Sequence, residues 1–174
     1  SPIQISYLGF PGTLGTNFID YLIMDNYIVN NSNRRFFTEK IIHMPYTYQC
    51  NSNYSKTINK YDRDDFNLPK DKFVLCSLNN SQKYNKELLC SWAKILKKNN
   101  NTVLWLLDDN SLVKKNILLL FESKNINLNR IIFAPRISTE NHLSRMALAD
   151  LFLDSFPCNA HTTASDALLV DLPI

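Results

Sequence analysis

With 174 residues the chain is long enough for one full domain, or for one domain and part of another. A hydrophobic content of 45% allows a sizeable buried core, while 20% charged residues and a net charge of +3 give no bias toward DNA or RNA. No apolar run reaches membrane-spanning length, and the opening Ser1-Pro2-Ile3-Gln4 lacks the basic-then-apolar order of a signal peptide. The four cysteines, Cys50, Cys76, Cys90 and Cys158, show no CxxC spacing and read as reduced thiols in a cytoplasmic protein. With only three histidines beside them, no metal site is expected. Both ends read as cut, so the chain is expected to be an internal fragment of a longer protein.

Ile3 to Leu8 alternates and is rich in β-formers, which predicts a strand. A loop from Gly9 to Gly15 follows, and Gly9, Gly12 and Gly15 are all the glycines the chain has. Concentrating glycine in one loop after a strand suggests a close backbone approach to a ligand, although the spacing is neither GxGxxG nor a P-loop. Phe18 to Met24 is apolar and predicts a short helix running into a strand. Lys40 to Met44 predicts a strand stopped by Pro45. From Cys50 to Pro69 the composition turns polar, as in a linker or surface connection.

After Pro69 the pattern becomes regular. Strands are predicted at Phe73–Ser77, Thr102–Leu107, Arg130–Ala134 and Leu151–Leu153. Helices are predicted over Asn85–Lys98, over Ser111–Lys124 with Ser111 as N-cap, over Ser138–Ala149, and over Thr163–Val170. Strands alternating with helices imply parallel pairing and right-handed crossovers, hence a doubly wound α/β sheet. Ligands of such sheets sit outside the carboxyl ends of the strands.

The loops at those ends are therefore the place to look for chemistry. The loop after Leu153 runs from Asp154 to a helix start at His161-Thr162-Thr163. Unpaired amides and the positive end of the helix dipole suit a phosphate there. The plainer alternative is that Thr162 or Thr163 is only a helix cap. Asp166, three or four residues on, falls on the same helical face and could accept from a ribose, or simply face solvent. In the loop after Ser77, Lys83 could reach a diphosphate as a point charge, or be an ordinary exposed lysine. His142, in the first turn of its helix, could stack on a base.

Taken together, these segments resemble the catalytic region of the protein O-GlcNAc transferases. The resemblance is carried by Gln4 to Thr13 (QISYLGFPGT), Phe18 to Tyr21, Glu39 to Pro45, Leu78 to Lys83, and Val103 to Leu107. It continues through Arg130 to Pro135, His142, and Ala149 to Asp154, and ends at Cys158 to Asp166 (CNAHTTASD). It covers nearly the whole chain in order, and the LGFPGT and NAHTTASD segments are specific together.

The resemblance implies a two-Rossmann (GT-B) glycosyltransferase fold of α/β class. Residues 1–50 would be the end of the first catalytic half, 51–68 a linker, and 69–174 the UDP-binding domain. It implies inverting, metal-independent transfer of N-acetylglucosamine from UDP-GlcNAc to Ser or Thr hydroxyls of a protein acceptor, with no cofactor. Lys83 and His161 would be catalytic. Lys83 would steady the leaving UDP, with Asn80 nearby. Leu8, Gly9 and Pro11 would line the sugar pocket, and Leu107 and Cys158 would border the donor. Ile137 through its backbone and His142 through its side chain would hold the uracil. Thr162 and Thr163 would bind the diphosphate with His161, and Asp166 the ribose.

Family members also carry tetratricopeptide helices upstream. The animal enzymes have glutamine where Asn80 stands, lysine where Thr139 stands, and an aromatic residue where Asp109 stands. The absence of their interdomain insertion points to a bacterial-type member. His161 favours the N-acetylglucosamine branch over the fucosyl branch. The alternatives are a related enzyme using UDP-glucose or GDP-fucose, or a sugar-nucleotide-binding pseudoenzyme. With the candidate base and much of the acceptor groove expected upstream of Ser1, the fragment alone is expected to be inactive.

Overall fold

The computed structural model describes residues 1–51 and 61–174. The chain divides into two compact units, Ser1–Tyr54 and Ser55–Ile174.

The first unit is a parallel three-stranded sheet of β1 (Ile5–Ser6), β2 (Tyr21–Asp25) and β3 (Lys40–Met44), in the order β1-β2-β3. Leu22 and Met24 of β2 pack with Val29 and Tyr48 in a small core. Two buried carboxylates tie its loops. Asp25 accepts from the amides of Tyr27, Ile28 and Tyr48. Glu39, only 1% exposed, accepts from the Thr13 hydroxyl and the Leu14 amide, both at 2.7 Å. No helix precedes β2: Phe18 is 79% exposed, and the apolar run that suggested a helix continues into the central strand of the sheet. The predicted first strand shortens to two residues because the chain turns at Leu8. There the backbone takes φ +70° and the Gly9 amide returns to the Tyr7 carbonyl at 2.9 Å, a γ-turn of the strained kind. The left-handed residue at the head of the glycine loop is therefore a leucine, and among the glycines Gly15 alone has positive φ, at +62°.

The second unit carries the alternation expected of it. Its elements are β4 (Phe73–Ser77), α1 (Lys86–Lys98), β5 (Thr102–Asp108), α2 (Ser111–Ser123), β6 (Ile131–Pro135), α3 (Thr139–Met146), β7 (Leu151–Phe152) and α4 (Thr162–Leu169). All pairings are parallel, in the order β6-β5-β4-β7. Period-two alternation sorts each strand onto two faces. Leu75, Leu104 and Leu106 pack with Leu89, Trp92 and Leu96 of α1 and Ile117 and Phe121 of α2. Val74, Cys76, Val103 and Trp105 pack on the opposite face with Met146 of α3 and Ala167 of α4. The sheet is thus buried on both sides, which is why β5 reads as a continuous apolar run.

Local chemistry sets the element ends. Asn85 caps α1 by accepting from the Leu88 amide. Asn110 caps α2 with bonds to Leu112 and Val113, one residue ahead of the predicted Ser111; the longer amide side chain reaches both donors. Part of the expected connection, residues 52–60, lies outside the described residues. The rest of it packs against the second unit. Leu68 is buried in the core, and the Arg63 guanidinium donates to the carbonyls of Leu148, Pro69 and Lys72 and to Asp150 at 2.8 Å.

Candidate donor-nucleotide site

Winding direction reverses within this sheet. The chain steps outward from β4 to β5 to β6, then returns past β4 to lay down β7 on its other side. The loops after β4 and β7 consequently diverge at one switch point, the position where open α/β sheets bind ligands. The loop after β4 forms a 3-10 turn at Ser81–Lys83, capped by the Asn80 side chain on the Gln82 amide. Tyr84 pins its base by donating to the Ser77 carbonyl at 2.6 Å, and burial pushes its phenol well above the usual range.

The loop after β7 is folded by Asp154. One carboxylate oxygen accepts from the amides of Ser155 and Ala160, and the other from the Asn159 side chain. The two loops are joined directly: the Lys83 Nζ donates to the Asn159 carbonyl at 2.8 Å, and the Asn85 side-chain amide to the Phe156 carbonyl at 2.8 Å. Lys83 thus stands two residues before His161 on the facing loop, and its Nζ keeps two further N–H groups.

Beside this junction lies a cavity of about 370 Å³. Asn80, Leu107, Ile137, His142, Thr162, Thr163 and Asp166, each named from the sequence, line it together. Neither threonine is the cap of α4. His161 occupies that position, which leaves Thr162 and Thr163 in the first turn, where amides lack intrahelical acceptors. Asp166 faces the same cavity one turn on, and burial raises its carboxyl above the usual range. Lys83, His161 and Cys158 are not among the residues that line it. Cys158 is exposed, and its carbonyl accepts from the Ser155 hydroxyl. Leu8, Gly9 and Pro11 stand in the first unit, on the loop after β1.

Two arginines in the lining escaped the sequence reading. Arg145 of α3 is 1% exposed. Its Nε and Nη2 lie 3.1 and 2.9 Å from Nδ1 of His142, and its Nη1 donates to the Pro135 carbonyl. A guanidinium only donates, so Nδ1 is the acceptor and the ring proton sits on Nε2. Burial, reinforced by the charges of Arg145 and Arg136, lowers the His142 pKa to about 4. The imidazole is therefore neutral near pH 7 and offers one donor of fixed direction. Burial also lowers Arg145 to about 10, which leaves it charged. Its guanidinium lies 5.9 Å from the centre of the Trp105 ring. The other arginine, Arg136, sits near Asp109. The signal for Arg145 was its spacing of three from His142, one helical turn on the same face.

Among the described residues no group of three or more His, Cys, Asp or Glu is placed to hold a metal ion, and no helix is long and apolar enough to cross a membrane. What the cavity offers is a neutral ring donor, two arginines, one of them buried, the hydroxyls and amides of the first turn of α4, and a single carboxylate.

The chain is similar to known proteins in sequence and in fold. A probable UDP-N-acetylglucosamine–peptide N-acetylglucosaminyltransferase, SEC, of Arabidopsis thaliana is 34% identical over 180 residues, covering 100% of this chain and 18% of the relative. A UDP-N-acetylglucosamine–peptide N-acetylglucosaminyltransferase of Caenorhabditis elegans is 33% identical across 64% of this chain and 10% of its own length. The chain thus spans less than a fifth of these two relatives. An O-GlcNAc transferase variant of Thermobaculum terrenum has the same fold, with a TM-score of 0.85 at 21% identity over 99% of this chain and 33% of that one. The parallel α/β units are accordingly those of a GT-B glycosyltransferase. The model of glycosyl transferase family 41 matches residues 1–58 and 49–174, which together span the chain, and the chain belongs to that family of glycosyltransferases.

Proposed function

We propose that this chain carries the donor-nucleotide half of an enzyme that transfers N-acetylglucosamine from UDP-GlcNAc to Ser or Thr hydroxyls of proteins, with inversion and without a metal. The observation that carries the reading is the junction at the switch point, where Lys83 bridges to Asn159 beside the first turn of α4 and the cavity. Relatives named as peptide N-acetylglucosaminyltransferases add weight to it.

Each lining group has a chemical counterpart in a uridine diphosphate. The Nε2–H of His142 and the remaining N–H groups of Arg145 match the carbonyl oxygens of uracil, and the Ile137 backbone closes the base subsite. The half-buried Asp166 carboxylate accepts from ribose hydroxyls. The Thr162 and Thr163 hydroxyls, the α4 amides and the His161 ring receive the diphosphate. Leu107, Asn80 and Cys158 border the donor, and Leu8, Gly9 and Pro11 serve the sugar.

In the reaction an acceptor hydroxyl oxygen bonds to the anomeric carbon as the bond from that carbon to the β-phosphate oxygen breaks. The hydroxyl proton leaves to a base, and negative charge grows on the departing UDP. Preorganised donors aimed at that charge lower the barrier by several kcal/mol in comparable sites, and Lys83 with the α4 terminus is that set here. Being fixed before the reaction, they need no rearrangement during it. A cytoplasmic setting and upstream tetratricopeptide repeats belong to the same proposal.

Calorimetric titration of the chain with UDP, followed by turnover of UDP-GlcNAc on a Ser/Thr peptide by the complete enzyme with and without EDTA, tests it. Binding of UDP with EDTA-insensitive transfer is expected. Failure to bind UDP would overturn the assignment, and preference for UDP-glucose or GDP-fucose would reassign the sugar.

A further inference from the structure

Arg136 lines the cavity with its side chain 64% exposed, yet it is not an isolated surface arginine. Its Nη2 lies 3.7 Å from the Asp109 carboxylate, whose side chain is only 7% exposed. The same Asp109 oxygen accepts from the Ser81 amide at 3.0 Å. Ser81 opens the turn that carries Lys83. One buried carboxylate therefore joins three loops: its own after β5, the Lys83 turn after β4, and the Arg136–Ile137 segment after β6.

A carboxylate at this position poses an electrostatic problem. It sits beside a site read above as receiving an anion, and the Ser81 amide is a dipole that cannot cancel a full negative charge. Arg136 can. At 3.7 Å its contact is charge pairing rather than a hydrogen bond, so the guanidinium keeps its N–H fork for another partner.

We propose that Arg136 is a ligand-contacting residue on the phosphate side of the cavity, and that Asp109 is its positioning residue. The guanidinium bridges the buried Asp109 carboxylate and the anionic group of a nucleoside diphosphate. This rests on the nucleotide reading given above and adds to it a cation contributed by the β6 loop. Asp109 holds both the Arg136 fork and the Lys83 turn, so it couples the two cations through one oxygen.

The test compares UDP with uridine, which lacks phosphate, by calorimetric titration of the wild type and of Arg136→Gln, Arg136→Lys and Asp109→Asn. Arg136→Gln is expected to weaken UDP roughly tenfold and to leave uridine unchanged. Arg136→Lys should recover part of the loss, since it keeps the charge but not the fork. Asp109→Asn supplies a test of sign. If Asp109 merely adds repulsion, removing its charge tightens UDP; if it positions Arg136, UDP weakens about threefold or more despite the lost negative charge. Equal effects on UDP and uridine, unchanged UDP affinity in Arg136→Gln, or tighter UDP binding in Asp109→Asn would overturn the proposal while leaving the nucleotide site intact. A wild type that binds neither ligand would remove the nucleotide reading, and this one with it.

Discussion

The Lys83 ammonium donates to the main-chain oxygen of Asn159 across 76 residues of sequence. That contact holds a positive charge at the junction of two loops that the sheet order alone brings together. If Lys83 steadies the leaving UDP as proposed, replacing it with alanine should lower turnover by about 10²–10³ while changing UDP-GlcNAc affinity only a few-fold. Steady-state kinetics of the complete enzyme beside calorimetric affinity would check this. A parallel loss of affinity and turnover would assign Lys83 to ground-state binding.

His142 makes stability depend on pH. Its folded pKa of about 4 lies below the ordinary value of 6.5. Between those values the unfolded chain takes a proton that the folded chain refuses. Stability is therefore complete above pH 6.5 and falls as pH drops toward 4, by on the order of 3 kcal/mol for the full shift. Denaturant titrations at pH 7 and pH 5 should show the decline, and His142→Gln should flatten it. A decline of equal size in His142→Gln would assign it to other groups.

Arg145 fixes the tautomer of that ring. Arg145→Lys keeps the charge but loses the fork that serves His142 and Pro135 together. Uridine affinity should fall about tenfold. Nitrogen-detected NMR of His142 should move from a single Nε2–H tautomer to a mixture. An unchanged tautomer with weakened uridine would place the effect on direct contact by the guanidinium.

Glu39 clamps the glycine loop of the first unit. Glu39→Ala removes the buried acceptor of the Thr13 hydroxyl and the Leu14 amide, and should cost about 1 kcal/mol. Faster amide exchange at Leu14 would locate the loss in the loop. Global acceleration instead would mean that the whole unit opens.

How far the sequence revealed all this depends on the physics of each element. α1 was legible because one-sided burial imposes a helical period, and β5 because burial on both faces makes a continuous apolar run; their bounds moved by one residue at most. Phe18 to Met24 was not, since a short apolar run has no period long enough to separate helix from strand. Ser111 and Asn110 are both cap formers, and only geometry chooses between neighbours. In the cavity, Thr162, Thr163 and Asp166 were found from helical spacing. Arg145 was missed because an arginine in a helix ordinarily faces water, and its burial follows from packing against Trp105, which no local pattern encodes. The strain at Leu8 was hidden for the opposite reason: glycines stand next to it and draw the expectation of a left-handed turn.

The strand β7 touches its neighbour through only two paired residues, Leu75 with Leu151 and Cys76 with Phe152. Asn159 and the α4 terminus, which follow it, are attached to the rest of the sheet through that short seam, the loop bonds around it and the packing of Ala167 and Leu172 in the core. The cavity therefore becomes whole only after the three crossovers between β4 and β7 are in place. A molecule that grips both sides of the seam would act as a fastener for it.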